Sequence, residues 1–131
     1  HGWVELSCRR FMPALESALQ GVRVLSARTA YERRGVAEPS EWKYLAFESE
    51  IGAFCRSSGR GKRKNVISIG DSPHERSALI RATEHIPGSC AKVLKFMEKP
   101  DLKQLVQEHR LLSGCLREVV SYDGSLDVCI R

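Results

Sequence analysis

NVISIG, residues 65–70, runs straight into DSPHERSAL, residues 71–79. The first six residues are a compact apolar run bounded by turn formers, the pattern of a strand covered on both faces. The next segment opens a helix, with Ala78, Leu79, Ala82 and Ile86 on its inner face before Pro87, Gly88 and Ser89 break it. A buried strand feeding a helix through Gly70-Asp71 is the beginning of a parallel crossover. Most of the remaining chain fits around it.

Working outward, Glu41 to Cys55 is predicted as a helix, with Tyr44, Phe47, Ile51 and Phe54/Cys55 on one stripe. Before it lie a polar loop, 28–40, and a strand-like run, Val22 to Ala27 (VRVLSA). The first segment, 3–20, carries apolar residues at helical spacing and a kink at Pro13. Downstream, Lys92 to Met97 (KVLKFM) is predicted as a strand. Pro100-Asp101 then opens a helix carrying Leu102, Leu105, Val106, His109 and Leu112. Residues 121–131 show no period and are expected to be an irregular tail. Strict alternation of helix and strand predicts an α/β fold with a mainly parallel sheet, within a single domain over residues 1–131.

Bulk properties narrow the partners. A net charge of +5 favours anions. No apolar run is long enough to span a membrane. The five cysteines (Cys8, Cys55, Cys90, Cys115, Cys129) have no zinc-like spacing and fit a reduced, cytoplasmic protein. The basic loop SSGRGKRK, 57–64, is a solvated stretch by default, which ranks a nucleic-acid partner below a phosphorylated one.

In parallel sheets, ligands collect beyond the carboxyl ends of the strands. Asp71 lies at such an end, and Glu75 follows in the first helical turn. Two carboxylates so placed suit Mg²⁺, which takes one or two protein ligands and keeps its waters. Ser72-Pro-His-Glu75 is equally a capping box, which would occupy Glu75 structurally. Ser26 ends the 22–27 run and could accept a phosphate oxygen, although a strand-end serine is usually a turn residue. Lys43 opens the next helix and could neutralise a phosphoryl group, although its default is a surface charge; Lys62 and Lys64 are rivals. His74 reads as an exposed first-turn residue, His109 as a satisfied core residue, and Trp3 and Trp42 as packing anchors.

This order of serine, lysine, and strand-Gly-Asp-x₃-Glu resembles motifs two, three and four of the haloacid dehalogenase (HAD) superfamily, over about residues 22–97. VISIGDSPHERSAL (66–79) is its most specific part. The resemblance implies a three-layer α/β/α Rossmann-like domain in which Ser26 and Lys43 hold a phosphate, and Asp71 with Glu75 holds Mg²⁺. It also implies a departure. The family's first motif, Asp-x-Asp, supplies the nucleophile, and none of Asp71, Asp101, Asp123 or Asp127 forms it. The expectation is an incomplete domain: the phosphate- and Mg-binding half of a phosphatase-like hydrolase, inactive alone. It would act on a phosphorylated small molecule or protein, and would self-associate or pair with a missing N-terminal segment. A non-catalytic HAD-like scaffold is the alternative, with a nucleic-acid-associated domain behind it.

Overall fold

The structure is a computed structural model that describes residues 2–59 and 61–130. His1, Arg131 and Arg60 of the basic loop lie outside the described residues. Three parallel strands form one sheet in the order β1 (Lys64–Gly70), β2 (Ser89–Lys95), β3 (Leu126–Cys129). The pairing runs from Lys64–Ser89 to Gly70–Lys95, and then from Lys92–Leu126 to Lys95–Cys129. Helix α5 (Pro73–Thr83) connects β1 to β2, and α6 (Leu102–Ser121) connects β2 to β3, as parallel neighbours require. Upstream lie α1 (Trp3–Phe11), α2 (Glu16–Leu19), α3 (Ala27–Tyr31) and α4 (Pro39–Ser57). The chain is an α/β protein with an all-parallel sheet.

Period-two alternation sends the sheet's side chains to two faces. On one, Val93 packs with Ile51 of α4 and with Leu79 and Ala82 of α5, and Val66 and Ala91 border the cluster. On the other, Leu94 and Phe96 pack with Leu112 and Val119 of α6, beside Ile67 and Leu126. Tyr44, Phe47 and Cys55 of the α4 stripe join the first cluster, whereas Phe54 is exposed. Arg81 of α5 reaches Glu41 at 2.6 Å and lies over the Tyr44 ring, fastening α5 to α4.

Several expectations need correction. Residues 22–25 are not a strand, and Ser26 instead caps α3. A β-branched run becomes a strand only when a neighbour takes its hydrogen bonds, and among the described residues this run pairs with none. The loop at 28–40 contains most of α3 and a 3₁₀ turn at Glu32–Arg34. The tail is not irregular, because 126–129 form β3. Arg76 of α5 grips Asp127 through its Nε and Nη2 atoms, holding that short edge strand. β2 begins three residues earlier than predicted, since pairing with β1 carries Ser89, Cys90 and Ala91 into the sheet. NVISIG is an edge strand whose Val66 and Ile67 meet the clusters on its two faces, with coverage giving out at Ile69, 47% exposed, and β2 takes the centre. The predicted helix at 3–20 does break near Pro13, into α1, a 3₁₀ turn and α2. Proline's ring forces the preceding residue, Met12, out of the helical region.

The buried stripe of α6 is rotated from the expected one. Leu105, Glu108, Leu112 and Val119 face inward, while Leu102 is 77% exposed and Val106 and His109 face solvent. His109 is therefore not a core residue. Its Nδ1 lies 2.8 Å from the Leu105 carbonyl, and its ring meets Phe96 edge-on.

Candidate functional site

The turn from β1 to α5 is built as the sequence suggests. Ser72 Oγ accepts from the His74 N–H at 3.1 Å, and Glu75 Oε2 accepts from the Ser72 N–H at 3.1 Å, completing a capping box. Gly70 makes room for it. A Cβ there would lie 3.2 Å from Glu75 Cγ, closer than ordinary van der Waals contact. The second oxygen of Glu75 is taken by Lys43 of α4, with Nζ to Oε1 at 2.6 Å. Partial burial pushes the Glu75 carboxyl up. The hydrogen bond and charge of Lys43, with the Glu75 and Ser72 backbone N–H groups, outweigh it and hold the carboxyl below the ordinary glutamate value.

Ser26 arrives by a different route from the one expected. Its Oγ accepts from the Thr29 N–H at 3.2 Å and donates to Thr29 Oγ1 at 2.9 Å, as an N-cap does. The expected pair of neighbouring parallel strands bearing Ser26 and Asp71 does not exist. Ser26 nevertheless reaches the same region. A cavity of about 360 Å³ is lined by Trp3 of α1 together with Ser26, Arg28, Trp42, Lys43 and His74. Leu25, Ala27 and Pro39 complete the wall. Tyr31 Oη donates to the Leu45 carbonyl at 3.0 Å and Trp42 Nε1 to the Val36 carbonyl at 2.6 Å, so α3 and its following loop are held on α4.

The two rival lysines are at the wrong end. Lys64 begins β1 and Gly70 ends it, six rises of about 3.3 Å apart, or roughly 20 Å. Lys64 is buried there, its Nζ donating to the Lys62 carbonyl at 3.1 Å, in a different cavity formed with Arg56, Gly59, Gly61 and Ile86. Of the lysines weighed, Lys43 alone meets both the β1–α5 turn and Ser26's cavity.

Asp71 stands in the turn, exposed, and outside the lining of that cavity. Asp101 is the N-cap of α6, Asp123 pairs with Arg63, and Asp127 is held by Arg76. Among the described residues Asp71 is thus the aspartate with no structural partner. The set does not fit a complete magnesium site. Both Glu75 oxygens are engaged, and the described residues contain no group of three His, Cys, Asp or Glu side chains placed to hold a metal.

Two buried charges escaped the sequence reading. Lys92, in the middle of β2, has no exposed surface. It donates to the carbonyls of Val119 (2.5 Å), Val120 (3.0 Å) and Tyr122 (2.8 Å), capping the C-terminus of α6. Glu108 is 4% exposed and accepts from the Met97 N–H at 2.6 Å, while its Oε2 is buried without a hydrogen-bond partner. A lysine inside an apolar strand and a glutamate four residues before Leu112 were the available signals. No family model, no curated protein and no solved structure matches this chain. No helix among the described residues is long and apolar enough to cross a membrane.

Proposed function

We propose that this chain is the phosphate-binding portion of a HAD-like phosphatase fold, a three-layer α/β/α Rossmann-like domain. The observation that carries the reading is the meeting of Ser26, Lys43 and His74 around one cavity, with Lys43 clamped to the first turn of α5 by Glu75. A phosphate there would find a hydroxyl, an ammonium and an imidazole, in a protein with a net charge of +5. None of the nine lining residues is acidic.

Two further assignments belong to the same reading. Asp71 would be one ligand of a magnesium site completed by carboxylates from outside these 131 residues. Glu75 would keep its place on Lys43 and the Ser72 amide rather than bind the metal. Bound magnesium would supply charge neutralisation at the phosphoryl oxygens. The missing nucleophile has a natural point of entry. β1 bonds to β2 through even-numbered residues, as Lys64 N–H to Gly88 and Gly70 carbonyl to Phe96 N–H indicate. The backbone groups of Asn65, Ile67 and Ile69 therefore face the open edge. A strand added there would end beside Gly70-Asp71. By itself the chain would bind a phosphorylated small molecule or protein without hydrolysing it.

Titration calorimetry with inorganic phosphate, with and without Mg²⁺, tests this. Binding to the chain is expected to weaken at least tenfold in Lys43→Ala, a loss of about 1.4 kcal/mol. Asp71→Asn is expected to remove any magnesium-dependent gain. Absence of phosphate binding under both conditions would overturn the reading. A non-catalytic scaffold is the second reading, favoured by the lack of Asp-x-Asp among the chain's aspartates. It predicts phosphate binding with no gain from magnesium.

A further inference from the structure

Trp3 and Trp42 are the only tryptophans in the chain, and both line the Ser26–Lys43 cavity. Their settings differ. Trp42 is half-buried, fixed by its bond to the Val36 carbonyl, and has the Arg28 guanidinium 5.7 Å from its ring centroid. Arg28 is in turn held by Glu32, through Nε at 2.9 Å and Nη2 at 3.2 Å. Trp3 is 67% exposed, so most of its indole surface is open to a partner. The lining therefore has two chemistries: a hydroxyl from Ser26, cations from Arg28 and Lys43 and an imidazole from His74, and flat aromatic surface from the two indoles.

From this juxtaposition we infer that the cavity takes a phosphate ester whose organic part is a planar ring, of aryl-phosphate or mononucleotide size. The inference rests on the phosphate reading above and adds the class of ligand to it. Indole faces stack on flat π-systems and give little to a branched polyol. The size limit follows from the volume. About 360 Å³ lies near the lower end of ligand pockets, roughly 300–1,000 Å³, which suits one ring and one phosphate better than a dinucleotide. A lining that holds Arg28 and Lys43 and no acid disfavours a cationic ring. In this reading Trp3 takes the ring and Lys43 the phosphate.

The test uses the chain's own tryptophan emission, since both reporters sit at the site. The titrants are inorganic phosphate, glycerol 2-phosphate, phenyl phosphate and phenol. Phenyl phosphate is expected to bind roughly tenfold more tightly than glycerol 2-phosphate, the gain of one aromatic contact, and phenol to bind weakly. In Trp3→Ala, with Trp42 as the remaining reporter, that ratio should fall to within about twofold. Trp3→Phe should retain most of it, which separates stacking from mere occupancy. Equal affinity for the two esters overturns the ring preference and leaves phosphate binding standing. Failure of all three phosphates to bind overturns the phosphate reading and this inference together. A preference that survives Trp3→Ala unchanged also overturns the assignment to Trp3.

Discussion

Glu75 carries three relationships on one side chain. It closes the capping box, holds Lys43 and fills the space left by Gly70. Its folded carboxyl lies below the ordinary value. The ionised form therefore contributes stability that is present above the unfolded pKa, about 4.3, and is lost as pH falls through the lower folded one. Glu75→Gln can keep the bond to the Ser72 amide but loses the charge that pairs with Lys43. We expect that variant to be less stable than the parent at pH 7 by about 0.5 kcal/mol, because Lys43 is partly solvated. The gap should close as pH drops below about 4. Urea midpoints at pH 7 and pH 3 check it. An undiminished gap at pH 3 would assign the loss to packing instead.

At the scale of elements, α6 is tied to the sheet by two buried ionisable side chains as well as by its apolar stripe. Lys92 supplies three donors to carbonyls that the helix cannot satisfy itself, at the negative end of the helix dipole. Replacing it with methionine keeps the bulk and removes the cap. The expected cost is about 2 kcal/mol, read as a lower Tm and as faster amide exchange in the last turn of α6. A Lys92→Met protein with a higher Tm would show that desolvation of the cation outweighs its hydrogen bonds. Glu108 differs in having one oxygen bonded and one without a partner. Glu108→Gln retains an acceptor for Met97 and should stay within about 1 kcal/mol of the parent. Glu108→Ala strands the Met97 N–H, opens a void and should cost about 2–3 kcal/mol. Chemical denaturation of the two variants gives the comparison. Equal losses would mean that side-chain volume, not the bond, is what matters.

For the molecule as a whole, the open edge of β1 is the feature with the largest consequence. Ile69 is 47% exposed there, and the outward backbone groups of residues 65, 67 and 69 have no strand partner among the described residues. An unpaired and largely apolar strand edge is a template for pairing with another strand. Concentration-dependent association is therefore expected in light scattering, and Ile69→Lys is expected to suppress it while leaving the unfolding midpoint within about 0.5 kcal/mol of the parent. Association that persists unchanged in Ile69→Lys would move the contact to another surface, such as the exposed apolar residues of α1.

Local patterns were enough for much of this protein. The α4 stripe, NVISIG as a strand, the Ser72–Glu75 cap and the break near Pro13 were all legible, because each depends on residues within a few positions of one another. The sheet's layout was not. Whether VRVLSA is a strand depends on pairing with a neighbour, and among the described residues it pairs with none, although β1 keeps an open edge. Residues 126–129 become a strand because β2 offers its second edge and Arg76 holds Asp127. The stripe of α6 was misjudged because Glu108 is a charge whose burial is stabilised by a backbone amide eleven residues upstream. Of Ser26, Lys43, Asp71 and Glu75, the fold brings Ser26 and Lys43 to one cavity and Glu75 to Lys43, while Asp71 stands outside that lining, and Ser26 arrives as a helix cap rather than at a strand end. Residue type and short spacing reveal which groups carry chemistry. Their meeting depends on hydrogen bonds between segments far apart in the chain, and those are satisfied only when the whole sheet and its helices come together.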